Sequence, residues 1–386
     1  MIKKLLLLLA ILTLTHCENA GTSKNNDGDA DDTAELAPIS ADNSSEDTEP
    51  ISPTEKNKFL YITNDTFHTI SKLNLTDFTL EANIVAGDSP ENLTASDDGN
   101  FLITTDGATS NLTFIDTKTN STKTIAIDVT NVIDMAISET NDRIFILSND
   151  ATFEILFLDD YLSVTNSTII PFEFSPTKIE QSDNYIVLFN SSDDRIAILN
   201  KADNSLKTIS ICSNNQFAQF YEDDSYLFLN CDESLVIYDI PNESIHETLT
   251  LPFIPEQMTT NDDHNTLYFV HGENFIELTF DTIDDPTETT ATIPGLDEAT
   301  FMIYELYNST EYLHIIDNMG MISFNMNLYQ FLYFNSGDIP PIKIHYYNDD
   351  LFIVHQNPLG YVTKMARPDF TRLTLEGFAL TDWLDR

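Results

Sequence analysis

The feature that most limits how this chain can fold is a short apolar phrase that returns eight times. It reads FLYITN (59–64), FLITTD (101–106), IFILSN (144–149), YIVLFN (185–190), YLFLNC (226–231), LYFVH (267–271), YLHIID (312–317) and LFIVH (351–355). Successive copies lie about 42 residues apart, and self-similarity at a fixed period of this size is the mark of a repeat architecture. Runs of Ile, Val, Phe, Tyr and Thr this short, closed by turn residues, form strands. No stretch sustains an apolar period of 3.6 long enough to compete as a helix.

Each period has room for three more strands. After FLITTD come NLTFID (111–116), KTIAI (123–127) and VIDMAI (132–137). Acidic turns such as SDDG (96–99) and TNDD (260–263) then lead into the next copy of the phrase. Four strands in about 42 residues is the composition of one propeller blade, so residues 58–386 are expected to form a single all-β propeller of four-stranded blades. Eight blades are favoured, with seven the alternative if the unit at 283–316, with its long loop, is misread. The repeats begin on a phrase strand with no innermost strand before it, and GFALTDWL (377–384) reads as that missing strand. Pairing it into the first blade closes the ring and hides sheet edges that would otherwise aggregate.

The units LYITND, KLNL and GDSPENLTASDDGNFLITTD resemble the YVTN-repeat β-propeller family, a lactonase-like and WD40-like group. Gly87-Asp88-Ser89-Pro90, Ser96-Asp97-Asp98-Gly99 and Phe114-Ile115-Asp116 match its motifs. Later repeats keep the spacing and lose the glycines and prolines. The resemblance implies a propeller and leaves the substrate or partner open, since the family's scaffold serves many roles.

Residues 1–17 have the form of an export signal: Lys3 and Lys4, then an apolar run over 5–12 that is too short to span a bilayer. Leu14-Thr15-His16-Cys17 resembles the end of a bacterial lipoprotein signal, which implies acylation of Cys17; His16 departs from the small residue usual there. Residues 18–57 hold 11 acids against two lysines and almost no large apolar side chains, the composition of a self-repelling, disordered tether. Asp27, Asp29 and Asp31 alternate as in a calcium loop, but no glycine holds the sixth place and Pro38 takes the twelfth.

The whole chain carries a net charge of −45. Non-specific binding to nucleic acid or to anionic lipid needs clustered Lys and Arg, so both are excluded as partners. Asp97, Asp98, Asp223, Asp224, Asp262, Asp263, Asp349 and Asp350 fall in turns between an innermost strand and a phrase strand. Equivalent turns project from one face of a propeller, so these carboxylates are expected to ring that face, either binding Ca2+ or a cationic partner or simply hydrated.

Cys212 and Cys231 fall at the same end of one predicted hairpin, and export favours their oxidation to a disulfide, with two buried thiols as the alternative. His271 and His355 each close a phrase strand and could face the ring's opening. No G-x-S-x-G elbow, phosphate loop or H-E-x-x-H is present, and the single tryptophan, Trp383, argues against quinone-cofactor propellers. No cofactor is expected. The sequence thus points to a monomeric, non-catalytic propeller held at a bacterial cell envelope by a lipid anchor, the outer membrane favoured and a periplasmic or secreted protein the alternative, with a protein, peptide or glycan partner. A lactonase-like hydrolase with its site at the central opening is the alternative.

Overall fold

The computed structural model describes residues 59–374 except 65–66, 97–98, 108, 139, 161–162, 213, 222–223, 262, 308, 329, 336–340, 348–349, 356–360 and 367–370. The export signal, the tether with Cys17 and the segment 377–384 therefore lie outside the described residues. Within them every regular element is a β-strand. The strands form antiparallel meanders in chain order, each bonded to its sequence neighbour. Seven are four-stranded blades, over residues 90–126, 132–171, 178–210, 215–250, 257–292, 301–335 and 341–374. The first sheet has three strands, Phe59–Asn64, Thr69–Asn74 and Thr79–Val85. With that sheet counted first, the blades occupy the second to eighth places.

The chain is thus an all-β propeller of four-stranded antiparallel blades, and seven of them are complete. The eight-bladed ring expected from the sequence is not established: the first sheet lacks an innermost strand among the described residues. Residues 283–316, suspected as a weak unit, supply the outer strand of the sixth sheet and two strands of the seventh.

First strands of successive blades lie side by side, so they form the innermost ring around a central opening. The repeated phrase is the second strand of each blade and the leading strand of the first sheet. Its continuous apolar run has a simple cause. Side chains alternate between the two faces of a strand, and here both faces meet another sheet. Leu102 packs back on Ile70 and Ile84 of the first sheet, whereas its neighbour Ile103 packs forward on Met135 and Ile144. Each pair of adjacent sheets has its own apolar cluster of this kind. The first and eighth sheets also meet, through Leu60, Leu73 and Leu75 against Phe352, Val354 and Val362.

Two turn types recur with a shared chemistry. Where the third strand ends, an Asn or Asp side chain accepts backbone N–H groups of the following turn: Asp116 from Lys118 and Thr119 at 2.9 and 2.7 Å, Asn200 from Ala202 at 2.8 Å, Asp239 from Asn242 at 2.8 Å. Such side chains mimic a turn of backbone and end the strand. Between the first and second strands, the left-handed position is Gly99 in the second sheet, and Asn141, Asp224 and His264 in the third, fifth and sixth. Asn, Asp and His tolerate that conformation better than other side-chain-bearing residues, which is how the later repeats do without the glycine.

In the fifth sheet Cys212 and Cys231 form a disulfide with Cα atoms 5.8 Å apart, closing a loop of sequence separation 19. In the chain-entropy account a loop of that size contributes about 3 kcal/mol. The double variant Cys212→Ser/Cys231→Ser is expected to lose stability by about that amount in denaturant titrations, and reduction should bring the parent down to the variant. Equal midpoints for oxidised parent and variant would contradict this.

Candidate functional site

The innermost strands carry polar residues that are out of keeping with the rest of each blade. Asn92 lies on Pro90–Ala95, Asp134 on Val132–Ile137, Lys178 and Glu180 on Lys178–Gln181, Gln216 and Gln219 on Asn215–Phe220, and Gln257 on Gln257–Thr260. Three of these strands carry a register shift, between Pro90 and Leu93, Val132 and Asp134, and Asn215 and Ala218. A bulge re-aims side chains at a sheet edge.

Most of these groups tie one blade to the next. The Asn92 side-chain amide donates to the Val132 carbonyl at 3.1 Å. The Asp134 carboxylate accepts the Ile179 N–H at 2.8 Å. Lys178 Nζ donates to the Gln216 carbonyl at 2.9 Å and lies 5.2 Å from the centre of the Phe217 ring. Gln219 hydrogen-bonds the His264 ring at 3.2 Å, and Glu256 accepts the Ala299 N–H at 2.9 Å. A polar belt therefore runs blade to blade around the opening and supplies partners to innermost-strand backbone groups.

Glu180 lies on the same innermost strand as Lys178 and is half-buried. Burial, and secondly the Asp134 carboxylate, push its carboxyl up to about 8, against a smaller opposing pull from Lys178. Lys178 itself is held below the usual lysine range by burial, partly offset by Asp134 and Glu180. Sequence reading passed over Asp134, Lys178 and Glu180. Their signal was charge inside an innermost strand, with Lys178 and Glu180 two residues apart and so on one side of it.

The acidic-turn residues divide into those the structure describes and those it does not. Asp97, Asp98, Asp223, Asp262 and Asp349 lie outside the described residues. Asp224 is buried and accepts both the backbone N–H and the side-chain amide of Asn184, at 3.1 and 3.0 Å, stitching the fourth sheet's turn to the fifth's. Asp350 pairs with Lys364 at 2.7 Å on the adjacent strand. Asp263 is exposed. Among the described residues no three His, Cys, Asp or Glu side chains gather into a set that could hold a metal ion.

The phrase strand is the second from the axis, which sets His271 and His355 one strand out from the innermost ring. His355 is buried inside the eighth sheet and hydrogen-bonds Thr363 at 3.2 Å. His271 lies 3.4 Å from the Glu256 carboxylate and stacks near Phe253. A third histidine stands out. His314 is fully buried and hydrogen-bonded to the buried Glu305 at 2.7 Å.

No family model and no curated protein sequence matches the chain. Solved structures of the same architecture do. A dihydro-heme d1 dehydrogenase, NirN, in complex with DHE is similar over 85% of this chain and 74% of its own, at 11% identity and a TM-score of 0.68. The C-terminal WD40 domain of Sif2 is similar over 81% of this chain and 93% of its own, at 10% identity and a TM-score of 0.62. The Swd1 (Cps50) β-propeller domain of Myceliophteria thermophila covers 74% of this chain and 99% of its own, at 8% identity and a TM-score of 0.55. At such identities the likeness is one of fold alone, and that fold is the β-propeller.

The Glu180 environment has a pH signature. Unfolded, a glutamate titrates near the ordinary value of about 4.3; folded, this one does so at about 8. Between those values the folded state holds the additional proton, so this group's contribution to stability falls as pH rises through the window. Glu180→Gln should remove that slope, and the variant's unfolding midpoint should gain on the parent's as pH rises from 5 to about 8. A pH-independent difference between the two would refute this.

Proposed function

We propose that this chain is an exported, lipid-anchored propeller that holds a protein, peptide or glycan partner at a bacterial cell envelope and performs no chemistry of its own. The observation that carries the reading is the polar belt. Asn92, Asp134, Lys178 and Glu256 spend polar atoms on the backbone of the neighbouring blade, which stiffens the ring and presents its loops as fixed platforms. Propellers with this backbone include a WD40 domain, and scaffold use is compatible with it. In this reading an acyl-modified Cys17 holds the protein at the membrane surface and residues 18–57 act as the acidic tether. The first sheet is taken as an eighth blade completed by residues 377–384, and the repeats as YVTN-type. The mature protein used as bait against envelope extract, with and without calcium, should retain a partner of defined identity, and Cys17→Ala should release the protein from the membrane fraction. Absence of both effects would overturn the proposal.

A second reading rests on the charged groups at the opening. Asp134, Lys178 and Glu180 place two carboxylates and an amine on adjacent innermost strands, and a carboxyl raised to about 8 can exchange protons near neutral pH. It predicts turnover in a lactone panel that falls at least about a hundredfold in Glu180→Gln. No turnover by the parent protein eliminates it.

A further inference from the structure

The last strand of each sheet lies at the rim of the ring, with a bonded neighbour on one side only among the described residues. Such an edge carries a row of backbone N–H and C=O groups open to pairing, and folded proteins guard it with charge, proline or a bulge. Most rim strands here carry a charged residue: Glu81, Lys123, Lys207, Glu247, Glu288 or Arg372. The third sheet's rim strand, Ser163–Pro171, has no charge, but it ends on proline and its pairing with Thr152–Asp160 shifts register twice.

The seventh sheet's rim strand, Gln330–Asn335, has none of these guards. Its sequence is QFLYFN, and it pairs residue for residue with Gly320–Asn325, without a register shift. Leu332 on this strand is 48% exposed, and Leu328, two residues before it, is 63% exposed. Phe334 packs against the apolar cluster between the seventh and eighth sheets, which anchors the strand. Residues 318–337 hold no Asp, Glu, Lys or Arg, the longest charge-free stretch in a chain of net charge −45. Folding does not require this composition, because other blades close with rim strands of Thr, Ser, Glu and Lys.

The backbone edge and the leucines together limit what can cover them. A helix or a lipid surface would cover the leucines and leave the edge N–H and C=O groups without partners. A second copy offers a matching strand but brings another charge of −45 with it, and the two repel. An extended segment that is apolar along the strand, with Lys or Arg beyond its ends, meets both demands, since its flanks are drawn to the acidic protein. We propose that the seventh blade takes an extended apolar segment of a partner protein as an added strand on Gln330–Asn335. Its side chains cover Leu332 and Leu328. This names the kind of partner for the binding-module reading above and rests on it.

The test titrates the mature protein with a fluorescent peptide, a short run of alternating Val and Thr with two lysines at each end. A peptide of equal charge with prolines in the central run cannot pair along its backbone and should bind at least about tenfold more weakly. On binding the first peptide, amides within 330–335 should exchange hydrogen at least about tenfold more slowly. Leu328→Ser/Leu332→Ser should weaken binding by at least about tenfold. Leu332→Lys, which supplies the missing guard, should do the same. Thr290→Lys, the same added charge on the exposed rim of the sixth sheet, should change binding by less than about twofold. Variants are checked by thermal melting, and a double variant that melts early is replaced by Leu328→Ser, which lies outside the strand.

Equal binding of the proline peptide, equal weakening by Thr290→Lys, or exchange protection confined to another blade overturns the proposal. So does dimerisation of the mature protein that Leu332→Lys abolishes, which would give the edge to a second copy. Envelope capture separates this from the broader reading. A partner kept equally by parent and Leu332→Lys removes the edge and leaves the module standing. If the parent captures nothing, the module reading falls and the peptide titration alone judges the edge.

Discussion

Every sheet in this molecule depends on the apolar face of the next. None can bury its own second strand, because that strand is apolar on both sides and one sheet has only one layer. Leu102 needs the sheet before it and Ile103 the sheet after it. The ring has no single core, only a series of interfaces of roughly similar make-up. Backbone hydrogen bonds run within sheets, so what joins one sheet to the next is side-chain packing, assisted near the axis by the polar belt. Where the first sheet meets the second, Lys72 adds to it: its buried ammonium donates to the Thr117 carbonyl at 2.9 Å, pairs with Glu81 at 3.1 Å and lies 4.2 Å from the centre of the Phe59 ring.

Acidity has several physical roles here. Some carboxylates are turn-formers whose acceptors match backbone N–H groups, as in Asp116 and Asp239. Some are ties between neighbouring elements, as in Asp224 and Asp134. Others accept hydroxyl protons, as Glu311 does from Tyr304 on the adjoining strand and Glu277 from Thr279. Sorting the acids by their partners separates those needed for folding from those left to face solvent or a ligand, which a net charge cannot do.

The architecture was legible because its cause is local and repeated. A phrase such as YIVLF must be a strand, and its unbroken apolar run signals burial on both faces. The hairpin end shared by Cys212 and Cys231 could likewise be placed from strand spacing. The roles of the acidic turns could not, because Asp224 is chosen for a left-handed backbone position and for a contact 40 residues away in sequence. For His271 and His355 the sequence gives only the end of a phrase strand, because a strand's place in a blade does not announce which neighbours its end will meet. Lys178 and Glu180 were passed over because their strand is short and lacks the phrase by which the repeats were recognised.

One position shows how far the repeats have diverged. One equivalent position of the phrase strand faces the following sheet as Tyr61, Ile103, Phe145, Val187, Phe228, Tyr268 and Phe352. In the seventh sheet it is His314, held by Glu305 from the strand beside it. Blades of a repeat protein are often treated as interchangeable modules. Here the seventh is not: a histidine grafted alone into another blade would arrive without this acceptor, and an aromatic grafted in its place would take one hydrogen bond from the buried Glu305. Any recombination of these units must therefore move residues 305 and 314 together, as a single heritable piece.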